Sequence, residues 1–260
     1  FGALSLTFNP KYRKAFAPLV EKVSFASFGD MDSLRSVIDE DTAFIILEPI
    51  QGESGIVVAP DGFLQEVRKL CDEKGILLVF DEIQAGLGRT GRLWAGDHWN
   101  TVPDILCLAK GIAGGVPMGA TLVRPDILAA ISKGEHSSTF GGNPISCAAG
   151  IAALTAITED GLIENSKKMG EMFKEGLEKL KEKHTMIREI RGKGLMIGIE
   201  MKFEVKDILM GLIEEGVLML YSGRNILRIL PPLVITEVDV TKVLGALDVV
   251  ITKEEEKKNV

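Results

Sequence analysis

Ile76-Leu77-Leu78-Val79-Phe80-Asp81-Glu82-Ile83-Gln84 and, further on, Asp104-Ile105-Leu106-Cys107-Leu108-Ala109-Lys110-Gly111 decide how this chain is read. Each holds a short, uninterrupted apolar run, the pattern of a strand buried on both faces. Each run ends in charge, at Asp81 in the first and at Lys110 in the second. Upstream, Ala43 to Leu47 is another such run, and Pro60 to Lys74 carries Phe63, Val67, Leu70 and Cys71 at helical spacing. Met118 to Val123 reads as a further strand. The order strand, helix, strand, loop, strand, strand predicts an α/β fold with a mostly parallel sheet and helices on both faces. Such sheets bind ligands at the carboxyl ends of their strands, where Asp81 and Lys110 fall.

Downstream, a helical pattern starts at Asn143 and runs through Ile145, Ala148, Ala149, Ile151, Ala152 and Leu154, and a second spans Leu162 to Lys183. A boundary is expected there, with 1–155 forming part of a large ligand-binding domain and 156–260 an interdomain helix plus a smaller α+β carboxyl-terminal domain. The latter reads as a strand over Gly194 to Glu200, a helix near Val205 to Glu215, strands near Val217 to Leu220 and Ile226 to Leu230, and a helix from Glu237 to Ile251 capped by Thr236. The charged tail Lys253 to Val260 is expected to fray.

Of the 260 residues 46% are hydrophobic, enough to bury a sizeable core, and the net charge of -7 argues against a nucleic-acid partner. Cys71, Cys107 and Cys147 stand apart with no CxxC spacing, so neither a zinc site nor a disulfide framework is expected, and a reducing cytoplasm fits best. His98 and His136 have no second ligand at metal spacing. No run approaches the roughly 18 apolar residues of a membrane span, and no signal peptide is recognisable. The start at Phe1 instead of methionine suggests truncation or processing.

A lysine and an aspartate delivered to strand carboxyl ends are what pyridoxal phosphate chemistry requires. The amine must be partly desolvated to act as a nucleophile, and the carboxylate must stay ionised to hold the pyridine nitrogen protonated. The bland readings are a lysine snorkelling from a strand end and an aspartate capping a turn. Ser138 and Thr139 lie in a glycine-rich loop before a helix, where backbone N–H groups and hydroxyls can hold an anion. Taken alone that loop is also an ordinary helix cap.

Four ordered motifs go further: Glu48-Pro49-Ile50-Gln51-Gly52-Glu53, Asp81-Glu82-Ile83-Gln84-Ala85-Gly86-Leu87-Gly88-Arg89-Thr90-Gly91, Lys110-Gly111 and Ser138-Thr139-Phe140-Gly141-Gly142-Asn143-Pro144. Together they resemble the class III aminotransferases, pyridoxal phosphate enzymes of fold type I, the aspartate aminotransferase-like fold. Within that family the chain is similar to acetylornithine aminotransferases and to those of carrier-protein-linked lysine and ornithine synthesis. Arg191-Gly192-Lys193-Gly194-Leu195-Met196-Ile197-Gly198-Ile199-Glu200 and Ile226-Leu227-Arg228-Ile229-Leu230-Pro231-Pro232-Leu233-Val234-Ile235 read closest to the lysine branch.

The resemblance implies that Lys110 carries the cofactor and shuttles a proton, that Asp81 pairs with the pyridine nitrogen, and that Gln84 bonds the phenolic oxygen. Glu82 and Ile83 complete that cofactor-binding segment. Thr139 would reach the phosphate in the neighbouring subunit, which implies a homodimer, and Ser138 would lie near the amine substrate. Arg228 resembles the arginine that grips the α-carboxylate of glutamate or 2-oxoglutarate, and Glu53 the glutamate that neutralises it until a ligand carboxylate arrives. Glu48 reads as structural, and Arg89, Arg92 and Arg191 as partners of carboxylates or carbonyls. The implied reaction moves the terminal amine of an ω-amino acid derivative to 2-oxoglutarate in arginine or lysine biosynthesis, with an acidic carrier protein as a further partner. Rival readings are an ornithine or 4-aminobutyrate aminotransferase, a glutamate semialdehyde aminomutase, and a non-catalytic remnant. The family's ring-stacking aromatic residue, a carboxylate-binding arginine and a phosphate-binding Gly-Thr turn lie upstream of the point where the resemblance begins. The expectation is therefore a fragment with exposed sheet edges and an apolar face.

Overall fold

The computed structural model describes residues 1–258. Strands β1 (Phe44–Leu47), β2 (Leu77–Asp81), β3 (Ile105–Leu108) and β4 (Ala120–Val123) form one sheet in that spatial order. β1 and β2 run parallel with Leu47 opposite Phe80, and β2 and β3 run parallel with Asp81 opposite Cys107. β4 is the exception, antiparallel to β3. The cause is the turn between them: Gly114 and Gly115 adopt φ of 60° and 109°, which lets the chain double back without the crossover that a parallel pair needs.

Helix α1 (Phe63–Lys74) buries Phe63, Leu64, Val67, Leu70 and Cys71, the stripe its spacing predicted, and ends at Gly75, whose left-handed backbone donates to the Cys71 carbonyl. The buried Asp104 ties this helix to the sheet. Its Oδ2 accepts from Arg68 at 2.8 Å and from the Leu78 N–H at 2.7 Å. That pairing holds β2 and β3 in the register that aligns their carboxyl ends.

Buried apolar side chains fall into two clusters. One joins Ile45, Leu78, Phe80, Leu106 and Leu108 of the sheet to α1. The other lies on a second sheet of order β5 (Ile187–Lys193), β6 (Met196–Met201), β8 (Ile226–Ile229), β7 (Leu220–Ser222), every neighbouring pair antiparallel. Here Ile197, Ile199 and Leu227 pack with Phe173 and Leu177 of α3 (Leu162–Lys183), Leu212 of α4 (Lys206–Glu214) and Leu247 of α5 (Glu237–Lys258). Helix α2 (Pro144–Glu159), capped by the Asn143 side chain on the Ser146 N–H, precedes α3.

Three expectations need correction. β5 was not anticipated, because Arg188, Glu189, Arg191 and Lys193 hide it among charge. β7 lies further along than Val217 to Leu220, since Val217 is buried directly after α4 and Gly216 turns the chain with φ of 74°. The tail does not fray within the described residues: α5 continues to Lys258, and Glu254, 3% exposed, pairs with Lys257 and Lys258. Residues 259 and 260 lie outside the described residues. Both sheet edges show apolar side chains, Phe44 on β1 and Leu122 on β4, and Phe140, Ile145 and Ile151 are exposed around α2. No single helix among the described residues is long and apolar enough to cross a membrane.

Candidate active site

Parallel register does most of the assembly. With Leu47 opposite Phe80, the next residues, Glu48 and Asp81, leave adjacent strand ends, and Lys110 follows β3 by two residues. Lys110 takes φ of 49° at the start of a one-turn helix, Lys110–Ala113. A left-handed lysine is uncommon and persists where surrounding structure imposes it. Leu108, Ile112 and Ala113 around it are buried, but Lys110 itself is exposed. The apolar run buries its own side chains and leaves the lysine accessible beside Glu48 and Glu53.

Asp81 is half-buried, and its Oδ1 accepts the Ile83 N–H at 3.0 Å. The turn-capping role is thus real, and it occupies one oxygen of the two. The Glu82 side chain turns toward the next loop. Its carboxylate accepts from the Ala95 N–H at 2.6 Å and the Gly96 N–H at 2.8 Å. It is 1% exposed, and burial pushes its carboxyl up to about 7 against the pull of those two hydrogen bonds. Glu82 pins the turn that carries Trp94 and Trp99, so only its backbone belongs to the strand-end cluster.

Gln84 packs across Gly52. A methyl group built on Gly52 would meet the Gln84 carboxamide, so a larger residue there requires that side chain to move. Gln84 Oε1 is buried without a hydrogen-bond partner, and since the two ends of an amide are interchangeable by a flip, this side chain has one hydrogen-bonding atom to offer. Glu48 accepts the Gly52 N–H at 2.9 Å. Burial drives the Glu48 carboxyl above the ordinary range, helped by the charges of Asp81 and Glu53 and opposed by the Gly52 hydrogen bond and Lys110. Glu48 is therefore both structural, as expected, and part of the charge cluster around Lys110.

Arg228, on β8, is 6% exposed; its Nη1 donates to Glu53 Oε1 at 2.7 Å and to the Gly52 carbonyl at 3.2 Å. Its Nε is buried without a partner. The hydrogen bond from Arg228 holds the Glu53 carboxyl below the ordinary range. Arg191, left out of the site on sequence grounds, donates from Nε to the Gly55 carbonyl at 2.9 Å and pairs with Glu189 and Glu200. The Ser222 hydroxyl donates to the Glu53 carbonyl. The carboxylate and carbonyl partners expected of Arg191 are thus Glu189, Glu200 and Gly55, whereas Ser222 carried no sequence signal for its role. Ser138 and Thr139 are exposed, and among the described residues their side chains form no hydrogen bond with the cluster. His98 Nε2 lies 3.0 Å from the Thr90 carbonyl, and no group of three or more metal-ligating side chains gathers among the described residues.

The chain belongs to the class III aminotransferases, whose family model matches residues 1–251. Within that class it is similar to acetylornithine and ornithine aminotransferases. The acetylornithine aminotransferase of Caldanaerobacter subterraneus subsp. tengcongensis is 44% identical over 97% of this chain and 64% of its own length. The ornithine aminotransferase 1 of Staphylococcus saprophyticus is 42% identical over 97% and 64%. Among solved structures, the ornithine aminotransferase of Toxoplasma gondii, described with partial occupancy of PLP at its active site, superposes with a TM-score of 0.95 at 35% identity, covering 99% of this chain and 62% of its own. The acetylornithine aminotransferase of Elizabethkingia anophelis gives a TM-score of 0.82 at 37% identity, over 87% and 61%. The chain thus spans under two thirds of the length of these relatives.

Proposed function

We propose that this chain is the lysine-bearing part of a pyridoxal phosphate-dependent aminotransferase. It would move the terminal amine of an acetylornithine-like or carrier-linked lysine or ornithine derivative to 2-oxoglutarate, in arginine or lysine biosynthesis. The observation that carries the reading is the meeting of Lys110, Asp81 and Gln84 at adjacent strand ends with the Glu53–Arg228 pair beside them. The residues fit the ring end of the cofactor: an amine in an imposed left-handed turn, a carboxylate with an oxygen to spare, and a buried amide with an unmet hydrogen-bonding atom. When bound, the cofactor supplies the electron sink. On the proposed division into 1–155 and 156–260, the first part contributes these groups and the second contributes Arg228.

In this reading Lys110 Nζ would hold the cofactor and move a proton at the substrate carbon, and the Asp81 carboxylate would pair with the ring nitrogen, which would let the bound group supply its electron sink. Ile83 supports Asp81 through its N–H. Arg228 binds the α-carboxylate of 2-oxoglutarate or glutamate through its charge and fork. Glu53 withdraws for that ligand and returns when the other substrate enters, so that a buried guanidinium is never left uncompensated. Thr139 serves the cofactor phosphate of a second subunit in a homodimer, and Ser138 lies beside the amine. A carrier protein would present acidic groups to the entrance. Free ornithine is the second reading, favoured by the 42% identity to the staphylococcal ornithine aminotransferase.

The test is glutamate formation from 2-oxoglutarate by the cofactor-loaded chain with acetylornithine, ornithine and a carrier-linked lysine derivative in parallel. Turnover with one amine, abolished in Lys110→Ala, is the expected result. No glutamate from any of them under saturating cofactor would remove the activity from this chain.

A further inference from the structure

Gly52 joins two clusters. Its N–H donates to Glu48 Oε2 at 2.9 Å, and its carbonyl accepts from Arg228 Nη1 at 3.2 Å. The same carbonyl closes the turn by accepting from the Gly55 N–H at 3.2 Å. The neighbouring residue, Glu53, then reaches Arg228. The Glu53 side chain is 79% exposed, so packing does not hold its carboxylate in place; Arg228 and Gln84 hold the carboxylate by hydrogen bonding, and the turn beneath it decides whether it reaches them. Arg228, Arg191 and Ser222 grip that turn from the carboxyl-terminal sheet. From the strand-end side Glu48 grips its backbone at Gly52, while Gln84 reaches the Glu53 side chain.

We infer that Glu48 is a positioning residue for the Glu53–Arg228 pair: by holding the Gly52 N–H it fixes the Gln51 to Gly55 turn where Glu53 meets the guanidinium. It thereby sets how readily an incoming carboxylate displaces Glu53. The consequence for substrate choice rests on the reading of Arg228 as a carboxylate seat, whereas the positioning is a property of the chain alone. What matters is the acceptor oxygen and not the charge. A neutral carboxyl or an amide at this position still offers a carbonyl oxygen to Gly52.

The two roles have opposite signs at Glu53. Removing only a negative neighbour lowers the Glu53 pKa further, because Glu48 and Glu53 repel. Removing the anchor frees Glu53 from Arg228 and lets its pKa rise toward the ordinary carboxylate value.

The experiment is carboxyl 13C NMR titration of Glu53 in the full, cofactor-free chain, assigned with Glu53→Gln, and compared across wild type, Glu48→Gln and Glu48→Ala. The inference predicts a low Glu53 in wild type and Glu48→Gln and an upward shift in Glu48→Ala, with glutarate binding about five-fold tighter in that variant because its competitor is loosened. A Glu53 that stays low in Glu48→Ala would overturn it, as would a Glu48→Gln that behaves like Glu48→Ala. The titration needs neither cofactor nor turnover. If wild-type Glu53 is low and shifts as predicted while glutarate fails to bind, the carboxylate-seat reading falls and the positioning stands.

Discussion

Glu82 should make this chain lose stability across the neutral range. Its carboxyl is 1% exposed and is pushed up to about 7 from an ordinary 4.5, chiefly by burial. The folded state therefore binds a proton that the unfolded state has already released between those two values, so stability falls as pH rises through that window. The rise from 4.5 to about 7, at about 1.36 kcal/mol per pH unit, gives about 3 kcal/mol lost between pH 4.5 and pH 7.5. Below pH 4.5 both states are protonated and the slope from this group vanishes. Glu82→Gln removes the titration but keeps one acceptor oxygen for two N–H donors, at a cost of about 1–3 kcal/mol that does not depend on pH. The assay is urea denaturation of both proteins from pH 4.5 to 8. Wild type should fall relative to Glu82→Gln as pH rises, so the two curves converge or cross near neutrality. Parallel curves would refute the argument and show that the Ala95 and Gly96 hydrogen bonds keep Glu82 ionised throughout.

Other substitutions probe different links. Arg228→Ala should weaken glutarate binding by roughly 30- to 100-fold, the loss of a charge-assisted hydrogen bond, while Glu53→Gln should tighten it; isothermal titration distinguishes the two. Gly52→Ala should push the Gln84 carboxamide out of its place beside Gly52, read as a weakened cofactor absorbance with the stability in urea changed by less than about 1 kcal/mol. His184 lies between Glu255 at 2.8 Å and Asp248 at 2.6 Å. His184→Ala should cost about 1–3 kcal/mol and speed amide exchange over Lys253 to Lys258, whereas unchanged exchange would mean that the end of α5 does not depend on this contact.

Uninterrupted apolar runs declare strands, which is why β1, β2 and β3 were legible within a residue or two of their ends, although Phe44 of β1 is exposed and Ile105 and Cys107 of β3 are only half-buried. β5 was not, because Arg188, Arg191, Glu189 and Glu200 neutralise one another across its surface, and such pairing is invisible along a sequence. The direction of β4 depends on the backbone at Gly114 and Gly115, and a pair of glycines permits a reversal without announcing it. Asp81 and Glu82 are adjacent and chemically alike, yet one stays at the strand ends and the other is buried under the next loop; only the fold separates them. Glu53 and Arg228 stand 175 residues apart, so their pairing was implied by resemblance and not by any spacing. The exposure of Lys110 could not be read from its apolar flanks, since burial of a side chain at a strand end depends on what packs over it.

On the proposed function, Lys110, Asp81 and Gln84 make a cofactor site on this chain. The most direct measurement is borohydride reduction after incubation with pyridoxal phosphate, followed by mass spectrometry of the peptides, with Lys110→Ala as control. Stoichiometric modification at Lys110, lost in the control and weakened in Asp81→Ala, is the expected result. Modification scattered over surface lysines, unchanged in Lys110→Ala, would contradict it.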